Sequence, residues 1–159
     1  MQSRAKILGH PAHSTLIVFP LGLLATGVVF DIIYLMTDSP SFLTVAYWMI
    51  AAGIIGGLVA APFGLIDWLA IPSHTRAKFI GLVHGVGNLI VLLLFIGSWW
   101  LRRNIDFPGA WAFVLSFAGL ALVLITGWLG GELVDRLGVG VDDDADLNAP
   151  NSLSKRLTH

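Results

Sequence analysis

Four candidate metal-binding side chains lie inside long apolar runs or at the start of one, near the same end of the predicted helices, where a charge is costly and therefore informative. They are two imidazoles and two carboxylates: His13, Asp67, His84 and Glu132. Imidazole nitrogens and carboxylate oxygens are the ligands that iron, zinc or manganese take in helical bundles. Asn88 lies one helical turn beyond His84 and shares its face. Together these residues predict a metal-binding site.

Two other chemistries fit the same side chains. Histidines on facing helices can supply both axial ligands of a b-type haem, and His13 and His84 are the first candidates for that role. Asp67 and Glu132 would then orient the imidazoles instead of binding metal. Groups of His, Asp and Glu inside a membrane also form proton relays. His10, just outside the first apolar run, is a further candidate metal ligand.

Structural roles explain several of these side chains without any cofactor. Asp67 and Glu132 can form ion pairs with basic residues at the same end of the chain's helices. Those basic residues are Arg76, Lys78 and Arg136. His13 can cap the first helix, and His10 lies in a predicted loop where solvation is the simpler explanation. The sequence leaves these alternatives open.

Four apolar runs must position the candidate side chains: about 14–36, 45–71, 79–102 and 110–134. Each is long enough for the roughly 20 residues that a spanning helix needs. None shows the alternation of a β-barrel strand, and a lipid-facing backbone must otherwise be helical. Short links make neighbouring helices antiparallel. The predicted fold is therefore an all-α integral membrane four-helix bundle, up-down-up-down, over residues 1–137.

The ends of the chain fix the expected orientation. Residues 138–159 are rich in Asp, Asn, Pro and Ser and predict a disordered cytoplasmic tail. Most basic residues outside the tail flank one side of the spans, so both termini are predicted to be cytoplasmic in a bacterial inner membrane. Counted along antiparallel helices, the four ionisable side chains fall within about 8 Å of that membrane boundary.

Other residues inside the spans indicate how the helices pack. Small residues recur at four-residue spacing, which permits close contact between membrane helices. They are Gly53, Gly57 and Ala61; Gly56, Ala60 and Gly64; Gly81 and Gly85; and Gly127 and Gly131. Pro20 and Pro62 each remove an amide donor and predict kinks that could open a cavity. Asp31, at the opposite end of its span, is predicted to form a structural ion pair with Arg102 or Arg103.

The composition excludes several functions. Hydrophobic residue types make up 56% of the 159 residues and charged types 12%, about half the usual charged share of a soluble domain. A net charge of −1 gives no basic face for nucleic acid. The absence of cysteine excludes disulfides, thiolate metal sites and covalent haem attachment.

Several motifs resemble an uncharacterised family of predicted bacterial membrane proteins of unknown function. The motifs are Gly9-His10-Pro11-Ala12-His13 with Phe19-Pro20; Gly64-Leu65-Ile66-Asp67-Trp68; His84 with Asn88; and Gly127-Trp128-Leu129-Gly130-Gly131-Glu132-Leu133-Val134 with Gly138-Val139-Gly140-Val141. The resemblance runs from about His10 to Val141. It implies respiratory or redox neighbours, because some relatives look fused to Rieske iron–sulfur or c-type cytochrome domains.

The leading functional hypothesis is a metal or haem site near the cytoplasmic end of the bundle, serving electron transfer, with a divalent transition metal (Fe, Zn or Mn) or haem b as cofactor. The first alternative is a small ion, proton or solute transporter that works as an oligomer. The second is a structural or assembly subunit of a membrane complex. The expected partners are the lipid bilayer, a further copy of the chain and a membrane redox protein. No nucleophile–base arrangement indicates an enzyme.

Overall fold

The structure, a computed structural model, describes residues 1–103 and 108–153. Its elements are the strands β1 (Lys6–Ile7) and β2 (His10–Pro11), the helices α1 (Ala12–Leu16), α2 (Val18–Thr37), α3 (Pro40–Ala70), α4 (Arg76–Leu101) and α5 (Ala110–Gly131), and a π-helical turn (Glu132–Arg136). Four stretches are long and apolar enough to cross a membrane: Ala12–Thr37, Pro40–Ala70, Arg76–Leu101 and Ala110–Arg136. The predicted all-α membrane bundle is thereby confirmed, whereas the short antiparallel pair β1–β2 was not predicted.

Two helix boundaries differ from the ends of the apolar runs because a proline lies at or near them. α3 begins at Pro40, earlier than the apolar run, because a proline in the first helical turn has no amide that needs a partner. Pro62 lies inside the same helix, which continues to Ala70. The first span is interrupted at Ile17, one turn before Pro20, whose missing amide cannot bond to the Leu16 carbonyl.

The bundle consists of two helical hairpins, because α2 packs most extensively on α3 and α4 on α5. Glycines of α3 permit close contact on both sides. A Cβ at Gly53 would lie 2.6 Å from the Leu24 side chain of α2, and one at Gly57 would lie 2.6 Å from Leu92 of α4. The central apolar cluster comprises Leu24, Val28, Ile50, Ile54, Val91, Phe95 and Val123. The predicted packing role of the small residues is therefore confirmed for α3.

A buried ion pair joins the helices at one end of the bundle. Arg102 Nη1 and Nη2 donate to Asp31 Oδ1 and Oδ2, each at 2.6 Å. Ser116 of α5 donates to Asp31 Oδ2 at 2.9 Å. The side chains of Asp31 and Arg102 are 0% and 2% exposed. The predicted ion pair of Asp31 is confirmed with Arg102, while the Arg103 guanidinium lies 3.9 Å from the ring centre of Trp100.

The N-terminal segment contacts residues from 138 to 152 at the opposite end of the bundle, called here the terminal end. The Gly140 amide donates to the Met1 carbonyl at 2.9 Å, and Lys6 forms an ion pair with Asp142. Of the predicted tail, residues 138–153 form turns that contact the N-terminal segment, and residues 154–159 lie outside the described part. Which side of the membrane this end faces stays a prediction.

Candidate functional site

His13 lies in α1 and rests on a glycine of α3. Its Nδ1 donates to the Ala60 carbonyl, at 3.1 Å. The imidazole lies so close to Gly64 that a Cβ there would come within 2.8 Å of the ring. Only a glycine at this position of α3 therefore lets the ring lie against the helix and reach the carbonyl one turn earlier.

His84 has the same surroundings on the second hairpin. Its Nδ1 donates to the Thr126 carbonyl of α5 at 2.9 Å. A Cβ at Gly130 would come within 3.1 Å of the imidazole. The Asn88 amide, one turn along α4, donates to His84 Nε2 at 3.0 Å. Asn88 therefore shares the face of His84, as its spacing predicted.

The two hairpins thus hold their histidines in equivalent ways. In each hairpin an imidazole of the first span donates to a carbonyl of the second span and lies on the glycine four residues after that carbonyl. The carbonyl–glycine pairs are Ala60 with Gly64 and Thr126 with Gly130. The two hairpins therefore use the same pattern of contacts to hold one imidazole each.

His13 and His84, called here the imidazole pair, lie next to each other between the two hairpins. Their ring centroids are 6.4 Å apart and their planes are inclined by 85°. A carbonyl can only accept, so each Nδ1 carries the proton and each Nε2 presents a lone pair. Metal-binding histidines are oriented in this way, by a second hydrogen bond from the nitrogen that does not bind the metal.

Asp67 does not join the imidazole pair. Its carboxylate accepts hydrogen bonds from Ser3 Oγ at 2.8 and 2.9 Å, from the Arg4 amide at 2.7 Å and from the Ala5 amide at 3.3 Å. All three donors belong to the N-terminal segment that precedes β1. Asp67 is therefore engaged as an anchor for that segment, a role that sequence reasoning missed.

Glu132 and His10 also bind groups away from the pair. Glu132 accepts from Arg76 at 2.6 Å, which matches the structural alternative drawn from the sequence. His10 is exposed, and its Nε2 lies 3.4 Å from Ser152 Oγ. Within residues 1–103 and 108–153, no three His, Asp or Glu side chains stand close enough to hold a metal ion together. Of the four predicted ligands, the structure brings together only the two histidines.

Two glycines of α5 face open space near the level of the imidazole pair. A Cβ at Gly127 or Gly131 would meet no described atom within 4 Å. Within one copy of the chain, the prediction that these two glycines form a packing ridge is therefore wrong. Gly127 directly follows Thr126, whose carbonyl accepts from His84 Nδ1, so this open surface of α5 lies at the level of His84.

The acceptor carbonyls and their glycines were not predicted as site components. The sequence did contain part of the signal, because Ala60 and Gly64 belong to one predicted ridge and Gly130 to the Gly-Trp-Leu-Gly-Gly-Glu motif. It could not show that a backbone oxygen of each ridge fixes an imidazole, since every residue has a carbonyl.

Comparison with known proteins agrees with this architecture. No match was found among curated proteins or among solved structures. The family described as "Predicted membrane protein (DUF2231)" matches residues 9–143, which include both histidines, both hairpins and the π-helical turn. The chain belongs to this family of predicted membrane proteins.

Proposed function

We propose that this membrane protein binds a metal centre between its two hairpins through His13 and His84, and that a haem iron fits this site best. The observation that carries the proposal is the imidazole pair itself. Two spans from different hairpins bring their imidazoles close together, and a backbone carbonyl fixes each Nδ1–H, which leaves each Nε2 unprotonated. Axial ligation by two histidines uses this arrangement.

The distance between the rings supports coordination of one metal ion by both histidines. A metal–imidazole bond of about 2.0–2.1 Å, extended by roughly 1.1 Å from the nitrogen to the ring centre, puts two opposed imidazole centroids about 6.2–6.4 Å apart. The centroids of His13 and His84 are 6.4 Å apart. The observed separation of the ring centres therefore lies at the upper end of the range for opposed ligands.

The surroundings favour a flat cofactor over a metal held by protein ligands alone. A non-haem centre with four protein ligands would need the carboxylates, but Asp67 is bound to the N-terminal segment and Glu132 to Arg76. A haem needs only two axial ligands from the protein. Gly127 and Gly131 leave the surface of α5 near Thr126 free of side chains, which would reduce steric hindrance to a macrocycle edge. When bound, a haem would supply one-electron transfer.

His13 and His84 would hold the iron, and the neighbouring groups would set their orientation. The Ala60 and Thr126 carbonyls keep each imidazole in the tautomer that leaves Nε2 free of a proton. Asn88, which donates to His84 Nε2, would have to turn away when that nitrogen binds a metal. The transporter and assembly-subunit hypotheses stay predictions, and no contact within the chain favours either.

The test is an optical spectrum of the protein purified in detergent, before and after titration with hemin, together with elemental analysis. We expect a Soret band, a sharpened α-band on reduction and about one iron per chain. His13→Ala and His84→Ala should each abolish the six-coordinate spectrum. His10→Ala and His74→Ala, which alter exposed histidines at the terminal end, are the matched controls. Absence of a Soret band after titration, or an unchanged spectrum in His84→Ala, would overturn the proposal.

A further inference from the structure

We infer that Asp67 is a positioning residue for His13, acting through the N-terminal segment that it anchors. The inference rests on the proposed function, because it assigns to Asp67 the control of one of the two proposed metal ligands. Asp67 contacts neither imidazole in the structure; its hydrogen bonds go to Ser3, Arg4 and Ala5. The segment of Ser3, Arg4 and Ala5 is in turn hydrogen-bonded to α1, the helix that carries His13.

The Asp67 carboxylate binds several donors of the N-terminal segment. Asp67 is half-buried near the end of α3, and Ser3, which donates to both of its oxygens, is 6% exposed. The amides of Arg4 and Ala5 add two further donors from the same segment. A carboxylate in a low-dielectric setting is held strongly by several donors. The N-terminal segment is therefore tied to α3 at one point by three donor groups, of which the Ser3 hydroxyl is shared between both carboxylate oxygens.

Backbone hydrogen bonds link that segment to α1. The Ala5 carbonyl accepts from the Ala12 amide at 2.8 Å, and Lys6 pairs with Pro11 across β1–β2. Ala12 is fully buried, begins α1 and directly precedes His13. The hydrogen bonds therefore run without a gap from Asp67 through Ala5 to the residue before the proposed ligand.

His13 depends on the Asp67 anchor more than His84 does, because the two spans differ beside the histidine. Ile17, between α1 and α2, keeps helical dihedral angles, and its amide donates to the His13 carbonyl at 3.0 Å. The first span nevertheless lacks one helical hydrogen bond beside His13, because Pro20 has no amide to donate to the Leu16 carbonyl. His84 lies inside α4, which contains no proline and begins with a Thr75 side chain accepting from the Lys78 amide. The anchor at Asp67 therefore compensates for a hydrogen bond that is missing next to His13.

The experiment compares the two imidazoles in the absence of cofactor. Protein with ¹⁵N,¹³C-labelled histidine is placed in lipid nanodiscs, and the ring signals of His13 and His84 are assigned from His→Gln variants. In Asp67→Ala we expect the His13 signals to shift or broaden while those of His84 stay in place. Glu132→Gln, which alters the other carboxylate at this end, should leave the His13 signals unchanged.

A second variant and a second measurement guard against a folding defect. Ser3→Ala removes the hydroxyl that contacts both oxygens of Asp67 but keeps the carboxylate and its two amide donors. It should therefore change the His13 signals less than Asp67→Ala does. Trypsin cleavage at Arg4 and Lys6, followed by mass spectrometry, should be faster in both variants. Hemin affinity should fall about 10–100-fold in Asp67→Ala, the range for groups that orient a ligand.

The outcomes separate this inference from the proposed function. Unchanged His13 signals in Asp67→Ala, equal changes at both histidines, or the same response in Glu132→Gln would overturn the positioning role. If the wild-type chain binds no hemin while the His13 signals respond selectively, the proposed cofactor is wrong and Asp67 still positions His13.

Discussion

Removal of either partner of the buried ion pair should destabilise the bundle strongly. Asp31 and Arg102 make two 2.6 Å hydrogen bonds and have almost no exposed surface. Ser98 accepts from Arg102 Nε at 3.1 Å, and the Ala112 carbonyl accepts from Nη2 at 3.3 Å. Loss of one member of such a pair leaves an uncompensated buried charge and costs about 3–5 kcal/mol of unfolding free energy.

The two single variants should lose different amounts of unfolding free energy within the range of about 3–5 kcal/mol. Arg102→Met leaves the carboxylate of Asp31 deep in α2, where its short side chain cannot reach water, so the loss should lie near the upper value. Asp31→Leu leaves a guanidinium at the end of α4, and its long side chain can extend toward the interface. That loss should lie near the lower value of about 3 kcal/mol.

The double variant Asp31→Leu/Arg102→Met removes both charges and should recover most of the stability. Replacing a buried pair by apolar residues is often neutral. A mutant cycle, measured by equilibrium unfolding with sodium dodecyl sulfate in mixed micelles, should therefore give strongly non-additive losses. Asp38→Asn changes an exposed acid at the same end and is the matched control. Additive losses in the double variant, or a single loss below about 1 kcal/mol, would refute the reasoning.

Three smaller changes test the packing and the surface contacts in the same unfolding assay. Gly64→Ala puts a methyl group within 2.8 Å of the His13 ring and should cost about 1–3 kcal/mol, whereas a neutral result would show that the ring moves freely. Thr75→Ala removes the side chain that caps α4 and should cost about 1 kcal/mol. Glu132→Gln should cost less than about 1 kcal/mol, because its partner Arg76 has a 61% exposed side chain; a larger loss would contradict that reading.

Hydrophobicity and charge predicted the elements and one of the contacts. Four long apolar runs became four candidate spans, since lipid leaves helix as the only way to satisfy an isolated backbone. Asp31 was predicted to form an ion pair with Arg102 or Arg103 because all three lie at the same depth of their spans. A buried charge inside an apolar span has few possible partners, so depth alone was enough.

At the terminal end, the depth of a residue in its span did not predict its partner, because many hydrogen-bonding groups lie there. His13, Asp67, His84 and Glu132 all lie near this end, as counting along the helices predicted. Asp67 nevertheless binds Ser3 and two backbone amides, because a segment without apolar periodicity folds back over the end of α3. No sequence pattern marks which backbone amides will meet a carboxylate, and the structure brings together only two of the four groups that were predicted to converge.

The two ends of the bundle differ in a way that suits the proposed site. At one end a buried ion pair and an apolar cluster tie α2, α4 and α5 together. At the terminal end the hairpins bring His13 and His84 together, and each imidazole is held by a backbone carbonyl of its own hairpin. The buried ion pair at the other end would keep the two hairpins aligned while a cofactor binds between these histidines, as the proposed function requires.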